Sequence, residues 1–131
     1  MFIQWEQVIR MPQILTEEEE KLIEAFILLP LAKRTLERDQ RAIRASLLKF
    51  KEPYLFATDQ MLLQISSCLA QVKREAGRKK MRFYKQNDLS YTVFVRGWRF
   101  EKNYHPQIAA EWVKNRITSF FLPLRLPFED R

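Results

Sequence analysis

Apolar positions recur at helical spacing over two long stretches of this 131-residue chain. Thr16 and Glu19 match a capping box, and the acidic run Glu17 to Glu20 complements the positive end of a helix dipole, so a helix is expected to start there. Leu22, Ile23, Phe26, Ile27 and Leu29 form its apolar face, and Ala32, Leu36, Ile43 and Leu47 continue it beyond Pro30. Pro30 cannot donate to the carbonyl of Phe26, which predicts a kink or two shorter helices meeting there. Pro53 suits the first turn of a second helix. Leu55, Leu62, Ile65, Leu69, Val72 and Ala76 then follow at threes, fours and sevens, with Gly77 placed to adopt a left-handed C-terminal conformation. Helices over 16–49 and 53–76, joined by so short a link, predict a long antiparallel helical hairpin.

Beyond Gly77 the periodicity changes. Met81 to Gln86 and Ser90 to Arg96 are short runs of aromatic and β-branched residues separated by Asn87, Asp88 and Leu89, the pattern of a β-hairpin. Its first strand would place Met81, Phe83 and Lys85 on one face and Arg82, Tyr84 and Gln86 on the other. Tyr91, Phe94, Val95 and Trp98 also fit a helical face, but Val93, Phe94 and Val95 followed by Gly97 favour strand. Pro106 opens a last helix over 106–121, with Ile108, Trp112, Val113, Ile117 and Phe120 or Phe121 turned inward. Pro123 and Pro127 stop it, leaving a tail over 122–131, while residues 1–15 form an apolar arm, either a short helix or an extended segment. The expected architecture is mainly α within an α+β class. One domain over 1–131 would contain a long helical hairpin, a short basic β-hairpin in the segment 78–104, and a C-terminal helix.

Composition narrows the chemistry. Only Gly77 and Gly97 are available, so a phosphate-cradling loop or a dinucleotide fingerprint, both of which need clustered glycines, is excluded. The single cysteine, Cys68, forms no internal disulfide and no multi-thiolate metal site, and reads as a small buried helix residue suited to a reducing compartment. His105 stands alone before Pro106, which assigns it to a cap or turn rather than a metal site. A Ser-His or Cys-His pair would have to use it, and no helix N-terminus activates Cys68. No cofactor, metal site or catalytic set is expected, and the chain does not read as an enzyme. The apolar run Ala25 to Ala32 is too short to span a bilayer, and no basic region precedes the apolar start, so a cytoplasmic protein without a membrane partner is expected.

Charge is the feature with functional content. Lys73 to Lys102 holds ten Lys or Arg against Glu75, Asp88 and Glu101, a surplus of seven that equals the chain's entire net charge of +7. Phe83, Tyr84, Tyr91, Phe94, Trp98 and Phe100 are interleaved with those cations. Basic residues among aromatics suit a polyanion such as DNA or RNA, by phosphate neutralisation and base stacking. Candidate contacts are Arg78, Lys79, Lys80, Arg82, Tyr84, Lys85, Arg96, Arg99 and Lys102, with Phe94 and Trp98 assigned to the core. Charge compensation at a helix C-terminus explains part of the cluster at Arg78 to Lys80, and a solvated basic face, the commoner meaning of such charge, explains the remainder without a ligand. The alternative function is a protein-interaction or oligomerisation module. It would act through the apolar termini, Phe2, Ile3 and Trp5 at one end and Phe120 to Phe128 at the other.

The order helix, helix, basic hairpin, helix resembles a winged helix, but long helices replace the compact core and no short recognition helix precedes the hairpin. The stretch from Phe94 through Arg96-Gly97-Trp98 and Asn103-Tyr104-His105-Pro106 to Phe120-Phe121 resembles small uncharacterised cytosolic proteins of Firmicutes and their phages. That resemblance covers the last third of the chain and implies no activity.

Overall fold

The computed structural model describes residues 14–121. Most of the expected apolar arm and the whole tail 122–131 lie outside the described residues. The elements are α1 (Glu17–Ala45), α2 (Glu52–Arg78), β1 (Arg82–Asn87), β2 (Ser90–Val95), β3 (Trp98–Asn103) and α3 (Pro106–Phe121). The mainly α, α+β class therefore holds, with a three-stranded antiparallel sheet in place of a hairpin.

Helix α1 starts at the expected capping box. The Glu19 N–H donates to Thr16 Oγ1 at 3.0 Å and the Thr16 N–H donates to Glu19 Oε1 at 2.9 Å. It then runs unbroken through Pro30, so two shorter helices do not form. Ile27, Leu28 and Leu29 before the proline and Leu36 after it are all buried. Burying such side chains, at roughly 1.5–3 kcal/mol each, outweighs the roughly 3 kcal/mol cost of an interior proline. The helix stops at Ala45, four residues short of the expected 49, because Ser46 is extended and its hydroxyl donates to the Ile43 carbonyl at 2.6 Å. Leu47, read from the sequence as part of the apolar face, is consequently fully exposed.

Helix α2 ends differently from its sequence signal. Gly77 stays helical, and Lys80 instead takes the left-handed position at φ +58°. The Met81 N–H donates to the Ala76 carbonyl at 2.9 Å and the Lys80 N–H to the Gly77 carbonyl at 3.0 Å, the two bonds of a Schellman motif. Ala76 and Met81 share one buried cluster, and this apolar contact sets the motif one turn later than glycine alone would.

Two clusters make the core, and α1 runs through both. At the sheet end Ile23, Ile27 and Leu28 meet Tyr91, Val93, Val95 and Ala109; at the other end Ala32 and Leu36 meet Met61, Ile65, Val113 and Phe120. Phe26 stacks on Phe83 with ring centroids 3.6 Å apart, which seats β1 on the helix. On α3 the inward residues are Ala109, Val113 and Phe120, while Ile108 is exposed, contrary to expectation. The Trp112 indole N–H donates to Glu24 at 2.7 Å, a contact that turns the helix away from an inward Ile108. The sole histidine caps this helix, its Nδ1 accepting from the Gln107 N–H at 3.1 Å.

The third strand arises from the turn Arg96-Gly97, where both residues have positive φ, 52° and 81°. This is the two-residue turn whose twist matches paired strands. It closes β2 onto β3 in the register Val95↔Trp98, Phe94↔Arg99, Val93↔Phe100 and Thr92↔Glu101. β1 pairs with Arg82↔Phe94 and Tyr84↔Thr92, so Val93 and Val95 face α1 while Phe94 faces outward. Phe94 is thus half-buried on the outer face and Trp98, at the sheet corner, is exposed; neither is the core residue expected. The alternation of side chains along β2 leaves no other choice once Val93 is buried.

Candidate polyanion-binding face

The outer face of the sheet is built from two cross-strand rows. Arg82, Phe94 and Arg99 lie abreast in one, and Tyr84, Thr92 and Glu101 in the next. Tyr84 meets Phe94 edge-on, ring centroids 5.7 Å apart and planes at 90°. Beside this pair Lys80, Arg82, Tyr84, Phe94 and Gly97 line a shallow concavity of about 340 Å³.

The second row is polar and internally satisfied. Gln86 donates to the buried Thr92 hydroxyl at 2.8 Å, which donates in turn to Glu101 at 3.0 Å. Arg99 Nε also donates to Glu101, at 2.7 Å. Hydrogen bonds from Arg99 and Thr92 hold the Glu101 carboxyl below the usual carboxylate range.

The other candidate cations are engaged elsewhere. Lys79 reaches Glu18 at 3.3 Å, Arg96 donates to Glu19, and Lys102 Nζ lies 2.8 Å from Glu20. The acidic first turn of α1 therefore binds three cations of the basic segment within the same molecule. Arg96 donates a further hydrogen bond to the Ile14 carbonyl at 2.7 Å. Burial pushes the Glu19 carboxyl up, but bonds from Arg96 and Thr16 outweigh it and leave the group below its ordinary range. Lys85 pairs with Asp88 at 3.0 Å, where Arg34 joins at 2.9 Å, and Arg78 pairs with Glu75 one turn back on its own helix. Of the eight cations singled out from the sequence, only Lys80 and Arg82 have no carboxylate partner among the described residues.

Two other surfaces lacked a reliable signal in the sequence. Leu47, Leu48, Phe50, Tyr54 and Phe56 are all exposed at the tip of the α1–α2 hairpin. The run Leu47-Leu48-Lys49-Phe50 was readable as apolar, but its exposure follows only from the helix ending at Ala45. An apolar groove of about 610 Å³ follows one side of α3, lined by Leu31, Leu89, Ala109, Ala110, Val113 and Ile117 among others.

Cys68 is half-buried on α2. Among the described residues no group of three or more His, Cys, Asp or Glu is arranged to hold a metal ion. No described helix is long and apolar enough to cross a membrane.

A long helical hairpin roofed by a small antiparallel sheet, with a C-terminal helix against both, defines a mainly α, α+β protein in which six of the eight candidate cations are paired with carboxylates of the same chain. The chain belongs to the YhjD protein family, whose model matches residues 14–123. That match reaches far beyond the last third, where the resemblance in sequence lay. No curated protein matches the chain, and no solved structure does.

Proposed function

We propose that this is a small, cytoplasmic, non-enzymatic accessory protein that binds nucleic acid or another polyanion through the outer face of its sheet. One observation carries the reading: Lys80 and Arg82, the candidate cations left without a carboxylate, lie beside the solvent-facing Tyr84–Phe94 pair. Paired cations such as Lys102 and Arg96 already have their charge met by Glu20 and Glu19 and would have to give up those contacts to bind. Attraction of phosphates to the remaining cations would release counterions and weaken with salt.

The test is a titration of the full chain with DNA, RNA and heparin at two salt concentrations. Binding is expected at low salt and should fall at high salt, and the double reversal Lys80→Glu with Arg82→Glu should abolish it. Reversal of Arg78, already paired with Glu75, should have a much smaller effect. Absence of low-salt binding, or indifference to the double reversal, overturns the proposal.

A second reading, a protein-interaction module, is favoured by the exposed Leu47, Leu48, Phe50, Tyr54 and Phe56 at the hairpin tip. The apolar termini first considered for this role lie outside the described residues, apart from Ile14, Leu15, Phe120 and Phe121. Light scattering of the chain and of a Leu47→Asp, Phe50→Asp variant discriminates, since a wild-type monomer indistinguishable from the variant counts against self-association.

A further inference from the structure

We infer that the ligand of the outer face is single-stranded nucleic acid, one base stacking at Tyr84 and Phe94 while its neighbouring phosphates meet Lys80 and Arg82. This rests on the polyanion reading above and narrows it to one class of ligand.

The backbone of Lys80 is the first argument. Among the described residues two non-glycine side chains hold a left-handed backbone, Lys80 at φ 58° and Arg96 at φ 52°. That conformation favours glycine, so each is a local cost that some other contact must offset. For Arg96 the offsetting contacts are visible in its bonds to Glu19 and the Ile14 carbonyl. For Lys80 the backbone bonds of the Schellman motif and the Ala76–Met81 contact meet that cost, so the side chain is not needed to hold the turn and borders the concavity instead. A lysine stands where glycine would be more stable, and a ligand carrying negative charge would make use of its ammonium group.

The aromatic pair is the second. Tyr84 is 52% exposed although it sits within a strand, and its ring is steadied edge-on by Phe94. Gly97 at the rim presents no side chain, and even an added Cβ would meet nothing within 4 Å, so nothing crowds that part of the rim. Stacking on such a platform is indifferent to base identity because every base has a π-face.

The layout of charge is the third, and it separates a single strand from a duplex. Favourable charge is confined to one corner of the sheet, at Lys80 and Arg82. The adjoining row carries the Glu101 carboxylate with Arg99 already bound to it. A duplex laid over the face would bring a second phosphate backbone above that carboxylate. No cationic helix or free hairpin protrudes there to enter the major groove, since the Arg96-Gly97 turn is tied down to α1 through Glu19. A single strand engages the corner alone and exposes its bases to the rings.

The experiment is fluorescence anisotropy of the full chain with a labelled oligothymidine, a duplex of the same length, and heparin as competitor, alongside thermal melts of each variant. Oligothymidine is expected to bind at least about tenfold more tightly than duplex. Tyr84→Ala should weaken oligothymidine binding by roughly 5–150-fold while leaving heparin binding unchanged, and Tyr84→Phe, which keeps the ring, should retain it. Lys80→Gly should weaken both ligands yet raise the melting temperature by roughly 3–5 °C, since it relieves the left-handed backbone. Duplex bound as tightly as oligothymidine, or Tyr84→Ala without effect, overturns this inference and leaves the broader polyanion reading standing. Failure of all three ligands to bind removes both. A lower melting temperature for Lys80→Gly would assign Lys80 a structural role and likewise overturn the argument.

Discussion

Glu19 in the first turn of α1 and Arg96 in the β2–β3 turn are joined by an ion pair across 77 positions of sequence. One oxygen of Glu19 accepts the Thr16 N–H that closes the capping box and the other accepts from Arg96, so helix start and sheet turn are fastened by a single carboxylate. The side chain of Glu19 is almost fully buried, and removing its cation would leave a charge poorly served by water.

This contact predicts coupled losses of stability. Arg96→Ala and Glu19→Gln should each lower the unfolding free energy by about 1–3 kcal/mol. In urea denaturation the double variant should lose less than the sum, with a coupling of at least about 0.5 kcal/mol. Additive losses would show that the two residues act independently.

Acid should unfold the protein through the same group. The Glu19 carboxyl lies below its ordinary value of 4.5 when folded, so the unfolded chain takes up the proton first as pH falls. The stability it contributes is present above that value and is lost as pH drops through the folded one. Denaturant midpoints measured across this range should decline for the wild type and decline less steeply for Glu19→Gln. Asp88 and Glu101 shift in the same direction, but both are exposed to solvent and should add little.

The alkaline limit has a different origin. Burial, with Glu24 and Glu20 nearby, pushes the Tyr104 hydroxyl from 10.0 up to about 12. The folded protein therefore keeps this proton after the unfolded chain has lost it. Stability from this source is complete below pH 10 and is lost as pH rises toward 12. Spectroscopic titration should find one tyrosinate forming late, and Tyr104→Phe should remove both that late step and its share of the alkaline loss.

Residues that look alike in sequence should behave in opposite ways. Leu47→Ala should change stability by less than about 0.5 kcal/mol, because the side chain is fully exposed. Ile65→Ala, at a fully buried position on α2, should cost about 2–5 kcal/mol. A large loss at Leu47 would mean that the hairpin tip packs against something in solution, and sedimentation of the two variants would reveal it.

Much of the fold was legible because its signals are local. Thr16 with Glu19, the 3.6-residue rhythm of α2 from Leu55 to Ala76, and the prolines at 53 and 106 each act within a turn or two of where they stand. Reading failed where a distant contact outweighed a local preference. Pro30 is carried inside α1 by burial on both sides of it, and the left-handed residue moved from Gly77 to Lys80 because Ala76 and Met81 pack together. β3 was missed because Gly97 read as a strand end, although it forms a turn. The candidate site divided for the same reason. Arg78, Lys85 and Arg99 pair with acids two or three residues away, but the pairing of Lys79, Arg96 and Lys102 was decided by where Glu18, Glu19 and Glu20 came to rest, which is invisible in any window around those cations.

By itself the sequence determined the three helices, the capping box that starts α1, the alternation along β1, and a +7 surplus located between Lys73 and Lys102. Only the tertiary structure decided what that surplus amounts to. It brought the acidic turn of α1 against the basic segment and left Lys80 and Arg82 beside Tyr84 and Phe94. Helical and strand preferences arise from the backbone and its near neighbours, whereas the strength of a charge pair depends on the few ångströms between groups that only the folded chain brings together.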